Sequence, residues 1–122
     1  MTNIITQTRI NLANELIADG INADYYIPSR ITPPLAIISP DSNYVSQGDS
    51  FATFGIALEV TLVAQTASND KATEDLDNLI VSAIGAIPAQ WKIETVDQPF
   101  TLSVNNADYL ATRMALTTQI TI

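Results

Sequence analysis

Three sets of residues hold the side-chain types from which a reaction or a ligand site is built. The densest is Asp70, Glu74, Asp75 and Asp77. Paired carboxylates serve as general acid and base, or as nucleophile and acid, when their surroundings differ. These four fall at the start of a helical stretch, where solvated acids suit the positive end of the helix dipole. That structural reading is the one their spacing favours. Asp41, Asn43 and Asp49 form a second set of oxygen ligands of the kind calcium takes, but their spacing is not that of a D-x-[DN]-x-[DN]-G loop. The third set is Gly20, Gly48, Gly55 and Gly85, which stand alone and make neither a G-x-G-x-x-G nor a G-x-x-x-x-G-K-[ST] phosphate loop.

The missing residue types narrow the chemistry further. The chain has no histidine and no cysteine. That removes the commonest general base, the Ser-His-Asp arrangement, thiolate chemistry, disulfides and the usual zinc ligands. Five Lys and Arg stand against 13 Asp and Glu, a net charge of −8. A basic surface for nucleic acid or a cationic cluster for phosphoryl transfer is therefore disfavoured. The same acidity suits a surface that lies beside DNA without gripping it. No catalytic, cofactor-binding or metal-binding residue is assigned, no cofactor is expected, and an enzyme is not. Trp91 and the tyrosines read as core or interface anchors.

The elements that position these residues follow from periodicity. Residues 3–19 read as a helix with Ile5, Leu12 and Leu16 on one face and Ile10, Ala13 and Ile17 beside them. Thr2 or Asn3 caps its start, and Gly20 stands just past its end. Arg9 falls on the apolar stripe. Either its stem packs and its head reaches solvent, or this face meets another chain and Arg9 pairs with a carboxylate there. Residues 23–27 form a short strand ended by Pro28. Leu35 to Ser39 form a second, fenced by Pro33, Pro34 and Pro40, and its unbroken apolar run implies burial on both faces. Residues 40–50 read as a turn-rich loop and as a contact surface.

Phe51 to Gln65 alternate clearly, with Phe54, Ile56, Leu58, Val60 and Leu62 on one face. A second helix spans 70–87, with Leu76, Leu79, Ile80, Ala83, Ile84 and Ile87 as its stripe and Pro88 as its stop. Strands follow at 91–96 and 100–104, with Asn105-Asn106 as a tight turn into a last strand over 109–122. On that strand Leu110, Met114, Leu116, Ile120 and Ile122 share a face. The result is one α+β domain over residues 1–122, with two helices on a mostly antiparallel, mixed sheet in the order α-β-β-β-α-β-β-β. No apolar stretch approaches the ~18 residues of a membrane span, and no secretory signal is visible.

Two of the strands are long for such a domain. Fourteen or fifteen residues reach about 45–50 Å, against a globule of about 35 Å. Each strand is either broken by a bulge or projects beyond the body, where a second copy or a partner covers it.

Taken in order, several segments carry a resemblance. They are "DYYIPSRITPPLAIISP", the "DSNY" loop, the Gly-x-x-Phe-x-x-Phe lead-in of "GDSFATFGIALEVTLV", the helix of "NDKATEDLDNLIVSAIGAI", and the closing "PFTLSVNNADYLATRMALTTQI". Over about 110 residues the chain resembles the small tail-terminator or tail-completion proteins of long-tailed bacteriophages. The resemblance implies a virion structural protein at the head-proximal neck of the tail, assembled in the host cytoplasm. It implies a homo-oligomeric, typically hexameric, ring that stops polymerisation of the major tail tube protein and meets the head connector. DNA would pass through the lumen unread. Another head–tail joining or minor tail protein, and a monomeric binding or adaptor domain, are the alternatives. The contacts expected of such a ring fall on Arg9, Asp41, Asn43, Tyr44, Gln47, Asp49, Arg113 and Gln119. Removal of the strand beyond Thr117 is expected to disturb assembly more than folding.

Overall fold

In a computed structural model of the chain, residues 3–26, 34–48, 52–64, 70–104 and 107–121 are described. They form helix α1 (Ile4–Ala18), strands β1 (Ala23–Asp24), β2 (Leu35–Gln47) and β3 (Thr53–Val63), helix α2 (Asp70–Ala86), and strands β4 (Lys92–Val96), β5 (Phe100–Val104) and β6 (Ala107–Thr121). The strands make one mixed sheet in the order β1-β2-β3-β6-β4, with β5 also beside β6. Only β1 and β2 run parallel. The expected α+β order therefore holds.

Asn3 caps α1 through its side chain, which accepts from the Thr6 amide at 2.8 Å. At the other end Gly20 adopts φ +89°, and the Gly20 and Ile21 amides close back onto the Ile17 and Leu16 carbonyls. This left-handed turn favours glycine, as expected from its place after the last helical turn. It also delivers Ile21 into the core beside Leu16.

The main core lies between the helices and one face of the sheet. Leu12 and Leu16 of α1 and Leu76, Leu79 and Ala83 of α2 meet Ile56, Leu58, Val60, Leu62, Met114 and Leu116. Register explains the match, because Leu58 pairs with Leu116 and Val60 with Met114. Leu35 to Ile38 are indeed buried on both sides. Ala36 and Ile38 join the main core, while Leu35 and Ile37 join Val63 and Ala111 in a smaller cluster flanked by Phe100, Leu102 and Tyr109.

Four expectations need correction. Pro40 does not end a strand, and Asp41 to Gln47 are not loop, because β2 runs on to Gln47. Its pairing with β3 jumps from Pro40↔Leu58 to Val45↔Ile56, so the four residues Asp41–Tyr44 bulge opposite the single Ala57. Asn43 makes this turn with φ 56°, a conformation asparagine tolerates. Proline is accommodated because β2 beyond Ile37 is a sheet edge among the described residues. The two helix stripes are also narrower than expected: Ile17 is 51% exposed and Ile84 44%. Finally, the chain beyond Thr117 is not a free arm: Thr118 pairs with Ile56, Ile120 with Phe54 and Thr121 with Thr53, although β4 on the other side reaches only to Thr117. Pro28, Pro33, the Asn105-Asn106 turn and Ile122 lie outside the described residues.

The long strands resolve in two ways. β2 is broken by its bulge. β6 remains continuous, flanked on one side by β3 and on the other by β4 and then β5. β3 ends opposite Ala111, whereas β5 and β6 continue together to the pair Val104↔Ala107. Among the described residues, this pair of strands extends past the rest of the sheet.

Candidate interaction face

The sheet face away from the helices is where the polar residues gather. Gly55, Ala57, Glu59 and Thr61 of β3 point there, paired with Gln119, Thr117, Ala115 and Arg113 of β6. Gly55, Ala57 and Ala115 are too small to fill the surface. They leave a trough of about 600 Å³. The β2 bulge, with Asp41 and Asn43, forms one wall, and Lys92 and Glu94 of β4 form the other.

The walls are held by local bonds. Asp41 Oδ1 accepts from the Ser42 amide at 2.8 Å, which fixes the turn of the bulge. Glu94 accepts from Thr117 Oγ1 at 3.0 Å and faces Lys92 Nζ at 3.6 Å. Beyond the trough, Arg113 Nε lies 2.7 Å from Glu59 Oε1, and its guanidinium sits 4.2 Å from the centre of the Phe100 ring. A low floor of small residues admits a backbone or a short side chain, and the amides, hydroxyls and carboxylates of the walls bond to polar groups. Chemically such a surface can hold a polar partner.

The expected contact residues divide between two faces. Asp41, Asn43 and Gln119 line the trough, and Arg113 stands next to it on the same face. Arg9 and Tyr44 lie on the helix side, where Arg9 Nη1 donates to the Tyr44 hydroxyl at 3.1 Å. Arg9 is partly buried, so its head is not simply in solvent. Gln47 is in the strand beyond the bulge, its Nε2 3.5 Å from the Thr53 carbonyl. Asp49 lies outside the described residues. The small residues Gly55, Ala57 and Ala115, and the wall residues Lys92 and Glu94, were not among the expected contacts. Small residues alternating with a fully apolar face were the signal that marked the trough.

No family model matches the chain, and no curated protein matches it. Among the described residues no group of three or more acidic side chains is placed to hold a metal ion. In the acidic start of α2, Asp75 pairs with Lys71 at 3.4 Å, while Glu74 and Asp77 are exposed. Among the described residues no helix is long and apolar enough to cross a membrane.

Of the aromatic residues, Trp91 is buried in the main core, and Tyr109 flanks the smaller cluster. Tyr25 and Tyr26 are exposed and meet edge to face, with ring centres 5.3 Å apart.

Proposed function

We propose that this chain is a structural subunit of a ring of the tail-terminator kind, capping the head-proximal end of a phage tail tube and joining it to the head connector. The observation that carries the reading is a sheet with two unlike open edges. On one side no strand pairs with the outer edge of β2 from Ile38 to Ser46; on the other, β4 and β5 are paired only with β6, among the described residues. Contacts between unlike surfaces are heterologous, and a heterologous contact repeated with a closing rotation gives a ring. The overhanging β5–β6 hairpin and the trough behind the β2 bulge supply a projection and a recess of the sort that interlocking copies use.

The charge of −8 is consistent with this role. A conduit wall must let a polyanion pass without holding it, and an acidic lining does so. In this reading the contact surface expected of the segment 40–50 includes Asp41, Ser42, Asn43 and Ser46, which line the trough. The amides of the segment should exchange more slowly in the assembled particle than in the free protein.

Light scattering and negative-stain microscopy test the reading. The expected result is a closed ring with a central hole, of hexamer mass, formed alone or on addition of tail tubes whose further growth it blocks. A protein that stays monomeric at high concentration and ignores tubes sinks the proposal and favours a monomeric adaptor.

A further inference from the structure

The geometry points to Arg9 as the receptor for a carboxylate carried on helix α2 of a neighbouring copy of this chain. This rests on the ring reading above and names one of its contacts. Lys71, Lys92 and Arg113 each face a carboxylate, respectively Asp75, Glu94 and Glu59. Arg9 faces none among the described residues. Its guanidinium donates to the neutral Tyr44 hydroxyl, and its Nε is shut off from water without a hydrogen-bond partner. A guanidinium carries five N–H donors in a fork shaped for carboxylate. Nε is as closed to a newcomer as it is to water, so a docking carboxylate meets the outer Nη groups, where a charge-assisted bond is stronger than the one to Tyr44.

The occupant follows from the exposed side of α2. Glu74, Asp77, Val81 and Ile84 recur at intervals of three and four residues and so share one face. That face is opposite Leu76, Leu79 and Ala83, which are buried in the core. Val81 is 70% exposed, well beyond the neighbouring apolar residues of its helix. Next to Tyr44, the partner of Arg9, Val45 offers the complement: an exposed aliphatic whose pairing with Ile56 sets it on the helix side of the sheet. A cation with an aliphatic neighbour thus matches two acids with aliphatic neighbours. In a chain with 13 acids and 5 bases, a second copy is a ready source of the carboxylate. Because the two surfaces are different parts of the chain, the contact is heterologous, as a ring requires.

Charge exchange tests this. Self-association is measured by analytical ultracentrifugation for Arg9→Glu, for the double variant Glu74→Lys/Asp77→Lys, and for the three changes combined. Each reversal alone should weaken association by about tenfold or more, the size of loss seen when one partner of an interfacial charge pair is removed. The combination should restore most of it. If Arg9→Glu loses its helical circular dichroism, Arg9→Met replaces it, since it removes the charge and keeps the stem. Undiminished association of Glu74→Lys/Asp77→Lys, or of Arg9→Met, overturns the contact and leaves the ring reading intact. A wild-type chain that never associates, with or without tubes, overturns both.

Discussion

Arg113 and Glu59 meet across the open face of the sheet, Nε to Oε1 at 2.7 Å, although the two residues are not directly opposite in register. Glu59 pairs with Ala115 and Thr61 with Arg113, so the ion pair is diagonal. Arg113 reaches it while stacked on Phe100. The pair thereby ties the central strand β3 to β6, and through Phe100 to the base of the overhanging hairpin.

A double-mutant cycle on Glu59→Ala and Arg113→Ala should give a coupling energy of about 0.5–1 kcal/mol in urea denaturation, because the pair is partly exposed. Arg113→Lys should lose stability as well, since an ammonium does not reproduce the planar stacking on Phe100. A coupling indistinguishable from zero would show that the geometry is ornamental.

Adjacent residues of α1 should behave very differently. Leu16 is fully buried between the helices and the sheet, so Leu16→Ala should cost about 2–5 kcal/mol. Ile17→Ser should stay within about 0.5 kcal/mol, because the side chain is half in water. Chemical denaturation of the two variants side by side checks both. If Ile17→Ser unfolds the protein, α1 buries a wider face than Leu12, Ala13 and Leu16 alone.

These two residues also show what was legible in sequence. Periodicity of 3.6 finds a helix and the middle of its buried stripe, but not its width. The width depends on how closely the helix lies on its sheet. Alternation in β3 is readable because one of its faces is apolar without a break, whereas the matching face of β6 carries Thr112 and Thr118 between Leu110, Met114, Leu116 and Ile120 and shows its period less cleanly. The short run Leu35–Ile38 announced double burial correctly. The continuation of β2 through Pro40 was not legible. Proline, Asp-Ser-Asn and a glycine are turn signals wherever they occur, and only the neighbouring strand reveals that the turn is a bulge within a ladder. At the interaction face, Asp41, Asn43, Gln119 and Arg113 were reached through a family resemblance. The floor on which they stand is made of residues too small to draw notice.

Truncation after Thr117 should damage folding before it reaches assembly. The removed stretch includes Thr118, whose hydroxyl donates to the Gln90 carbonyl at 2.8 Å, and Ile120, which packs on the main core. The milder Thr118→Val should cost about 1 kcal/mol through the lost bond, and the truncation several times more. Thermal unfolding followed by circular dichroism distinguishes them. A truncated chain with wild-type melting would mean that the end of β6 is dispensable to the monomer.

Ala57→Lys should separate folding from contact. The position lies on the trough floor, opposite the bulge and half open to solvent. The long stem has room to rise out of the sheet, so stability should change by no more than about 0.5 kcal/mol. Ring formation, read by light scattering, should fall sharply because the recess is filled. Unchanged assembly would remove the trough from the list of contacts.

The four-for-one bulge in β2 has a bearing on what this protein avoids. An open sheet edge is a template, and a long, regular one invites copy after copy to add without end. Here an added strand finds Pro40, which has no amide to offer, and then a step of Asp41 to Tyr44 at which its own register no longer fits. Neither half of the edge is long enough to seed a fibre. The proposed ring, with its bounded number of copies, needs a way to make unbounded addition unprofitable, and the kink in β2, the long outer strand among the described residues, supplies one.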